Sequence, residues 1–258
     1  MLATYGFGLF PLPRYREVKG EGWLLRHHLP SMSEGYLTEA FVEGNRFVLY
    51  QGKVPWMSTG LFEVESHAWH VHCAQGVVAV AGLGMGMYAY AVSKKPEVTR
   101  VVVVERDPQV LEILRRSAGF DDWPGRDKIE IVIADAFAPD WAAAFKGARP
   151  DYLYADIWPI TPDATAPEQC AAMVRALNPV HAGWWGQEFN AGQWALAQGR
   201  EIDEAALADY FGNLGVPVSL TPGYTGFCRD VAAINKALLS PKPAKKPGLL
   251  AKLLGFGV

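Results

Sequence analysis

Cysteine is scarce in this chain. Cys73, Cys170 and Cys228 are the only three among 258 residues, they lie far apart, and no Cys-x-x-Cys pair exists. Neither a disulfide framework nor a zinc site is therefore expected, and a reducing, cytoplasmic setting is. Long apolar runs are missing too: none approaches the roughly 18 to 20 residues that cross a bilayer, so no membrane span is expected. The first sixteen residues, MLATYGFGLFPLPRYR, have no basic start and carry prolines inside their apolar part, which argues against a signal peptide. An excess of basic charge is also absent. The formal net charge is −3, which gives no reason to expect a nucleic-acid partner. Acids, in turn, are absent from Pro241 onward, where Lys242, Lys245, Lys246 and Lys252 stand alone, so the body carries 20 basic against 27 acidic residues.

What is present is enough for a substantial core: half the residues are hydrophobic and only a fifth are charged. Residues 1–15, rich in glycine, proline and aromatics, read as an irregular arm. From Gly20 to Thr59 short extended pieces alternate with turn signals (GWLLRHHL, GYLTEAFVE, RFVLYQGKVPW), and Gly44-Asn45 reads as a hairpin turn. The expectation for 1–60 is an arm and a small antiparallel β-unit. Residues 61–75 read as a helix. Strands and helices then alternate: VVAVAGL, the helix MYAYAVSKK, VTRVVVVERD, a helix capped by Asp107-Pro108, IEIVIAD, a short helix near 140–146, DYLYADIW, a helix over 166–177, the strand PVHAGWWGQEF, and a helix over 201–214. PVSLTP and GFCRDVAAI, either side of Pro222-Gly223-Tyr224, read as an antiparallel pair at the sheet edge. The expected class is α/β, a doubly wound, mostly parallel sheet over 61–240 with an antiparallel edge. The remainder, 241–258, reads as a basic and apolar tail.

Four strand ends carry the residues suited to chemistry, because ligands of such sheets bind beyond the carboxyl ends of the strands. VVAVAGLGMG is a buried strand running into Gly82, Gly84 and Gly86, with a helical pattern starting at Met87. Strand, glycine turn, helix brings bare backbone N–H groups close to a ligand, so a nucleotide-like cofactor is expected there. Glu105 closes the second strand 21 residues past Gly84, where a carboxylate can accept from both hydroxyls of a ribose. Asp135, with Ala136 next to it, closes the third; the acid can accept from an adenine amine while the adjacent N–H meets a ring nitrogen. Asp156 closes the fourth, followed by Ile157, Trp158 and Pro159, at the reactive end of such a ligand. It is suited to steering an attacking amine or hydroxyl, with Trp158 available to stack on a substrate.

In this order and spacing, VAVAGLGMG, VVVVERDP, IEIVIADAF and DYLYADIWP resemble the cofactor motifs of class I S-adenosylmethionine-dependent methyltransferases, most closely the spermidine synthase-like branch. The resemblance implies a Rossmann-like domain behind an N-terminal β-unit. It implies an S-adenosylmethionine cradle at Gly82, Gly84 and Gly86, ribose binding by Glu105, adenine binding by Asp135 and Ala136, and a central acid at Asp156. A homodimer would fit that branch. The chain departs from spermidine synthases at Met85 (an Asp in that branch), at Pro55 (near a Gln), in Ser66-His67-Ala68 (a Tyr-His-Glu run) and in Asp156-Ile-Trp-Pro (no second acid). Few acids remain to grip a polyamine, and each lost charge-assisted bond is worth roughly 1.5–3 kcal/mol.

The expected activity is therefore methyl transfer to a small-molecule acceptor. Aminopropyl transfer from decarboxylated S-adenosylmethionine and a non-catalytic binding module remain as alternatives. NAD fits less well, since Met87 stands at the last position of GxGxxG and Asp135 has no role in that scheme. His67, His70 and His72 fall within six residues of one another, with Glu63 and Cys73 near, but this is a poor ligand set and no metal is expected. His67 is the better candidate for a general base. Tyr88 joins Trp158 as an acceptor-pocket candidate, as does one of Trp184 and Trp185, with core packing as the competing reading for these aromatics.

Overall fold

The structure, a computed structural model, describes residues 2–239; the expected tail over 241–258 lies outside them. The N-terminal unit comprises β1 (Val18–Lys19), β2 (Trp23–His28), β3 (Ser31–Ser33), β4 (Phe41–Glu43), β5 (Arg46–Gln51) and β6 (Val54–Ser58). The rest runs α1 (Leu61–Cys73), β7 (Gly76–Ala81), α2 (Met87–Ser93), β8 (Val98–Glu105), α3 (Pro108–Ala118), β9 (Ile129–Ile133), α4 (Pro139–Ala144), β10 (Tyr152–Ala155), α5 (Ala166–Leu177), β11 (His181–Trp184), α6 (Gln187–Ala197), α7 (Glu204–Leu214), α8 (Pro222–Ile234) and α9 (Lys236–Leu239).

Five strands form one parallel sheet in the order β11-β10-β7-β8-β9. The chain starts in the middle at β7, winds outward through β8 and β9, then returns to β10 on the other side. The order reverses between β7 and β10, and the right-handed crossovers general to parallel sheets would put the helices of the two halves on opposite faces. Burial on both faces explains the near-continuous Val and Ala runs of the central strands: Val101 to Val104 are at most 1% exposed, and Ala79 and Ala81 are fully buried. Local chemistry sets the helix ends. Asp107 caps α3 by accepting from Gln109 N–H at 2.9 Å with Pro108 in the first turn, and Gly119 ends it at φ 61°.

Three sequence expectations are corrected. Gly44-Asn45 does not close a hairpin: β4 pairs with β3 in a separate two-stranded sheet, while β5 pairs with β2 and β6 in the order β1-β2-β5-β6. The fifth strand stops at Trp184, and Gln187–Ala197 is helical. The antiparallel edge is absent among the described residues. Residues 222–234 form α8, and the segment before it touches β11 through one backbone bond, Ala182 N–H to the Pro217 carbonyl at 3.0 Å. Among the described residues, no helix is long and apolar enough to cross a membrane.

Candidate active site

The C-terminal ends of β7, β8, β9 and β10 open onto one cavity, which Gly82, Gly84, Glu105, Asp135, Ala136 and Asp156 all line. The glycines are required by the backbone. Gly82, Gly84 and Gly86 have φ of 92°, 50° and 69°, the left-handed region where a Cβ is strained. At Gly82 a Cβ would also stand 2.1 Å from the Asp156 carbonyl oxygen, so the first glycine lets the loop pass close beneath the end of β10. Gly86 closes the turn, donating to the Leu83 carbonyl at 2.7 Å and standing before α2 as its N-cap.

Glu105 is 9% exposed and turned toward this loop: Oε2 accepts from Leu83 N–H at 3.0 Å and Oε1 from Asp107 N–H at 2.9 Å. Burial raises its pKa above the usual carboxylate range and the charge of Asp107 adds to this, against the pull of the backbone N–H donors of Asp107, Leu83 and Arg106. Asp135 lies on the exposed rim, one oxygen accepting from Phe137 N–H at 2.8 Å across its own turn.

Asp156 follows β10, with its Oδ2 3.2 Å from His67 Nε2. His67, on α1, is fully buried, and its Nδ1 lies 2.7 Å from the Glu63 carbonyl oxygen. A carbonyl can only accept, so Nδ1 carries a proton and donates to it. Burial pulls the His67 pKa down, but the hydrogen bond and charge of Asp156, with Glu63, outweigh it and the net shift is upward. Both ring nitrogens are thus engaged, Nδ1 by the Glu63 carbonyl and Nε2 by the Asp156 carboxyl. One turn earlier, burial pushes the Glu63 carboxyl up to about 8 despite the opposing His67 charge. Glu63 lies behind the cavity in the first turn of α1, at i, i+4 spacing from His67.

Two candidates lie elsewhere. Trp158 is 5% exposed and its indole N–H donates to Gln169 Oε1 at 2.8 Å, which turns it toward α5 and away from the cavity. Tyr88 is packed 4.3 Å from the Tyr154 ring, with its hydroxyl donating to the His70 carbonyl at 3.2 Å. Both are core aromatics, as are Trp184 and Trp185 at 0% and 6% exposure. The three histidines of α1 do not converge: His70 Nδ1 meets the Tyr152 hydroxyl at 2.9 Å and His72 stacks on Phe7. The remaining wall of the cavity comes from the N-terminal unit, as Trp23, Gln51, Trp56 and Met57. No local pattern marks these residues; only the docking of β6 over the glycine turn brings them there.

A bare glycine loop at the strand-order reversal, a buried acid closing the next strand and further acids closing the next two surround one crevice, at the place where open α/β sheets bind their ligands. No protein-family model matches the chain, and no curated protein matches it in sequence. Similar folds occur among solved structures. The spermidine synthase from Thermotoga maritima is 20% identical, with 66% of this chain and 64% of that one aligned at a TM-score of 0.36. A spermidine synthase in complex with the transition-state analogue AdoDATO is 19% identical over 65% of this chain and 54% of that one, also at 0.36. The chain thus spans between half and two thirds of the lengths of these two proteins. Human methyltransferase-like protein 13, in complex with SAH, is 16% identical over 71% of this chain and 90% of that one, at 0.36.

Proposed function

We propose that this chain is an S-adenosylmethionine-dependent transferase that moves a methyl group to a small-molecule acceptor. The observation that carries the reading is Glu105: a buried carboxylate held at the glycine loop, in one cavity with Asp135 and Asp156. The residues present fit the cofactor. Glu105 would hold the ribose hydroxyls, Asp135 and Ala136 N–H would read the adenine edge, and the open backbone of Gly82 and Gly84 would lie under the 5′ side. When bound, the cofactor supplies an activated methyl on a sulfonium. Asp156 orients the acceptor, and alignment is the larger part of such a displacement. His67 serves as a positioning residue that holds one Asp156 oxygen.

Calorimetry with S-adenosylhomocysteine, S-adenosylmethionine, its decarboxylated form and NAD tests the reading. The expected result is binding of the first two, weakened at least tenfold by Glu105→Gln, which removes the charged acceptor for two hydroxyls. Binding of the decarboxylated form alone would point to aminopropyl transfer. Binding of none would leave a fold without the activity.

A further inference from the structure

The peptide of Met85, at the crest of the glycine turn, is gripped from both sides by the N-terminal unit. Its carbonyl accepts from the Tyr15 hydroxyl at 2.7 Å, and its N–H points at Met57 Sδ at 3.3 Å. Met57 itself is 9% exposed and lines the same cavity as Gly82, Gly84 and Asp156. Its backbone is fixed in β6 by pairing with Leu49. A Cβ placed on Gly84 would stand 2.9 Å from Met57 Sδ and 3.0 Å from its Cε, so the thioether lies directly on the bare loop backbone. With the loop held by Tyr15, the methionine side chain is the part free to yield.

Resting on the cofactor reading above, we infer that Met57 selects ligands by the length of their 5′ substituent. A nucleoside with its sugar at Glu105 and its base at Asp135 directs that substituent over Gly82 and Gly84, toward Asp156 and into the space that Met57 fills. A short, uncharged substituent stops short of it. A tail bearing a carboxylate takes the Met85 N–H away from the sulfur, a weak acceptor, in a charge-assisted bond. To do so it must drive a flexible, buried side chain out of its packed position. Met57 thus sets a penalty on the full amino-acid tail that shorter thioether nucleosides escape.

The test measures Kd for 5′-methylthioadenosine and S-adenosylhomocysteine in wild type, Met57→Ala and Met57→Leu, each checked for an unchanged fold by circular dichroism. Met57→Ala is expected to tighten S-adenosylhomocysteine about tenfold relative to methylthioadenosine, the range for one group removed from a pocket. Met57→Leu, which keeps the volume, is expected to keep the wild-type ratio. A ratio within twofold of wild type in Met57→Ala overturns the inference, as does a Met57→Leu that shifts as far as Met57→Ala. Failure of both nucleosides to bind any of the three proteins would remove the cofactor reading itself, and this inference with it.

Discussion

Glu63, His67 and His70 occupy one stretch of α1, all buried, and burial acts on each with a different outcome. His70 has no charged partner, and burial pushes its pKa down to about 3, with the charge of His67 adding to the effect. His67 has Asp156 beside it, whose hydrogen bond and charge turn the net shift upward. Glu63 is pushed up to about 8 and keeps its proton at neutral pH. The signs follow from linkage. His70 is neutral when folded, so its contribution is present above pH 6.5 and is lost as pH falls from there toward 3. Glu63 and His67 hold protons that the unfolded chain releases, at 4.5 and 6.5, so their contributions fade as pH rises: through about 8 for Glu63, and through the raised folded value for His67. Glu63→Gln keeps an oxygen for Ser58 N–H, which Oε1 now accepts at 3.1 Å. It should remove most of the stability loss between pH 4.5 and 8 and be more stable than wild type at pH 8, on the order of 2 kcal/mol. Urea denaturation at several pH values measures this. A variant curve parallel to wild type would show that Glu63 is ionised in the fold.

At the scale of elements, the glycine turn is the least replaceable part. Gly82→Ala combines a φ of 92° with a Cβ 2.1 Å from the Asp156 carbonyl oxygen, a contact that needs β10 or the turn to shift. Backbone strain of about 1–3 kcal/mol plus that shift should lower stability by at least 3 kcal/mol and abolish nucleoside binding. Gly119→Ala shares a left-handed φ of 61°, but its Cβ would meet open space, so the loss there should stay near 1 kcal/mol. Thermal unfolding of the two variants side by side separates strain from collision. Two elements escape local pattern, each for its own physical reason. α6 carries Gln187, Glu188 and Asn190 among its apolar residues, yet all three are buried, so no polar face marks its period. Their polarity is met inside: Glu188 accepts from the Tyr36 hydroxyl at 2.6 Å and the Tyr224 hydroxyl at 2.9 Å. At α8, Pro222-Gly223 resembles a turn, whereas Thr221 and Pro222 are the N-cap and first turn of a helix.

Across the whole molecule, the N-terminal unit completes the cavity and is tied to it at separate points. Trp23 Nε1 donates to Asp107 Oδ2 at 2.7 Å, joining β2 to the cap of α3, and Tyr15 holds the Met85 carbonyl. Tyr15→Phe should lose about 1 kcal/mol, as for one half-buried hydrogen bond. It should also speed amide exchange of residues 83–86 while leaving β8 protected, since the tie acts on the turn and not on the sheet. Exchange followed by mass spectrometry reads both. Equal exchange in the two proteins would mean that the arm merely lies against the loop.

The sequence by itself determined the parallel sheet, the glycine turn and the strand-end positions of Glu105, Asp135 and Asp156. Each rests on a short-range pattern: a β-branched run buried on two faces, a backbone that only glycine tolerates, an acid where a strand ends. Only the tertiary structure decided which side chains share the cavity. Trp158 and Asp156 are two residues apart, yet one is locked to Gln169 in the core and the other faces the cleft. Met57, Trp56 and Gln51 reach the same cleft from segments that precede the glycine turn. The direction of a side chain past the end of a strand, and the docking of one unit on another, follow from packing over long chain separations, which no local pattern encodes.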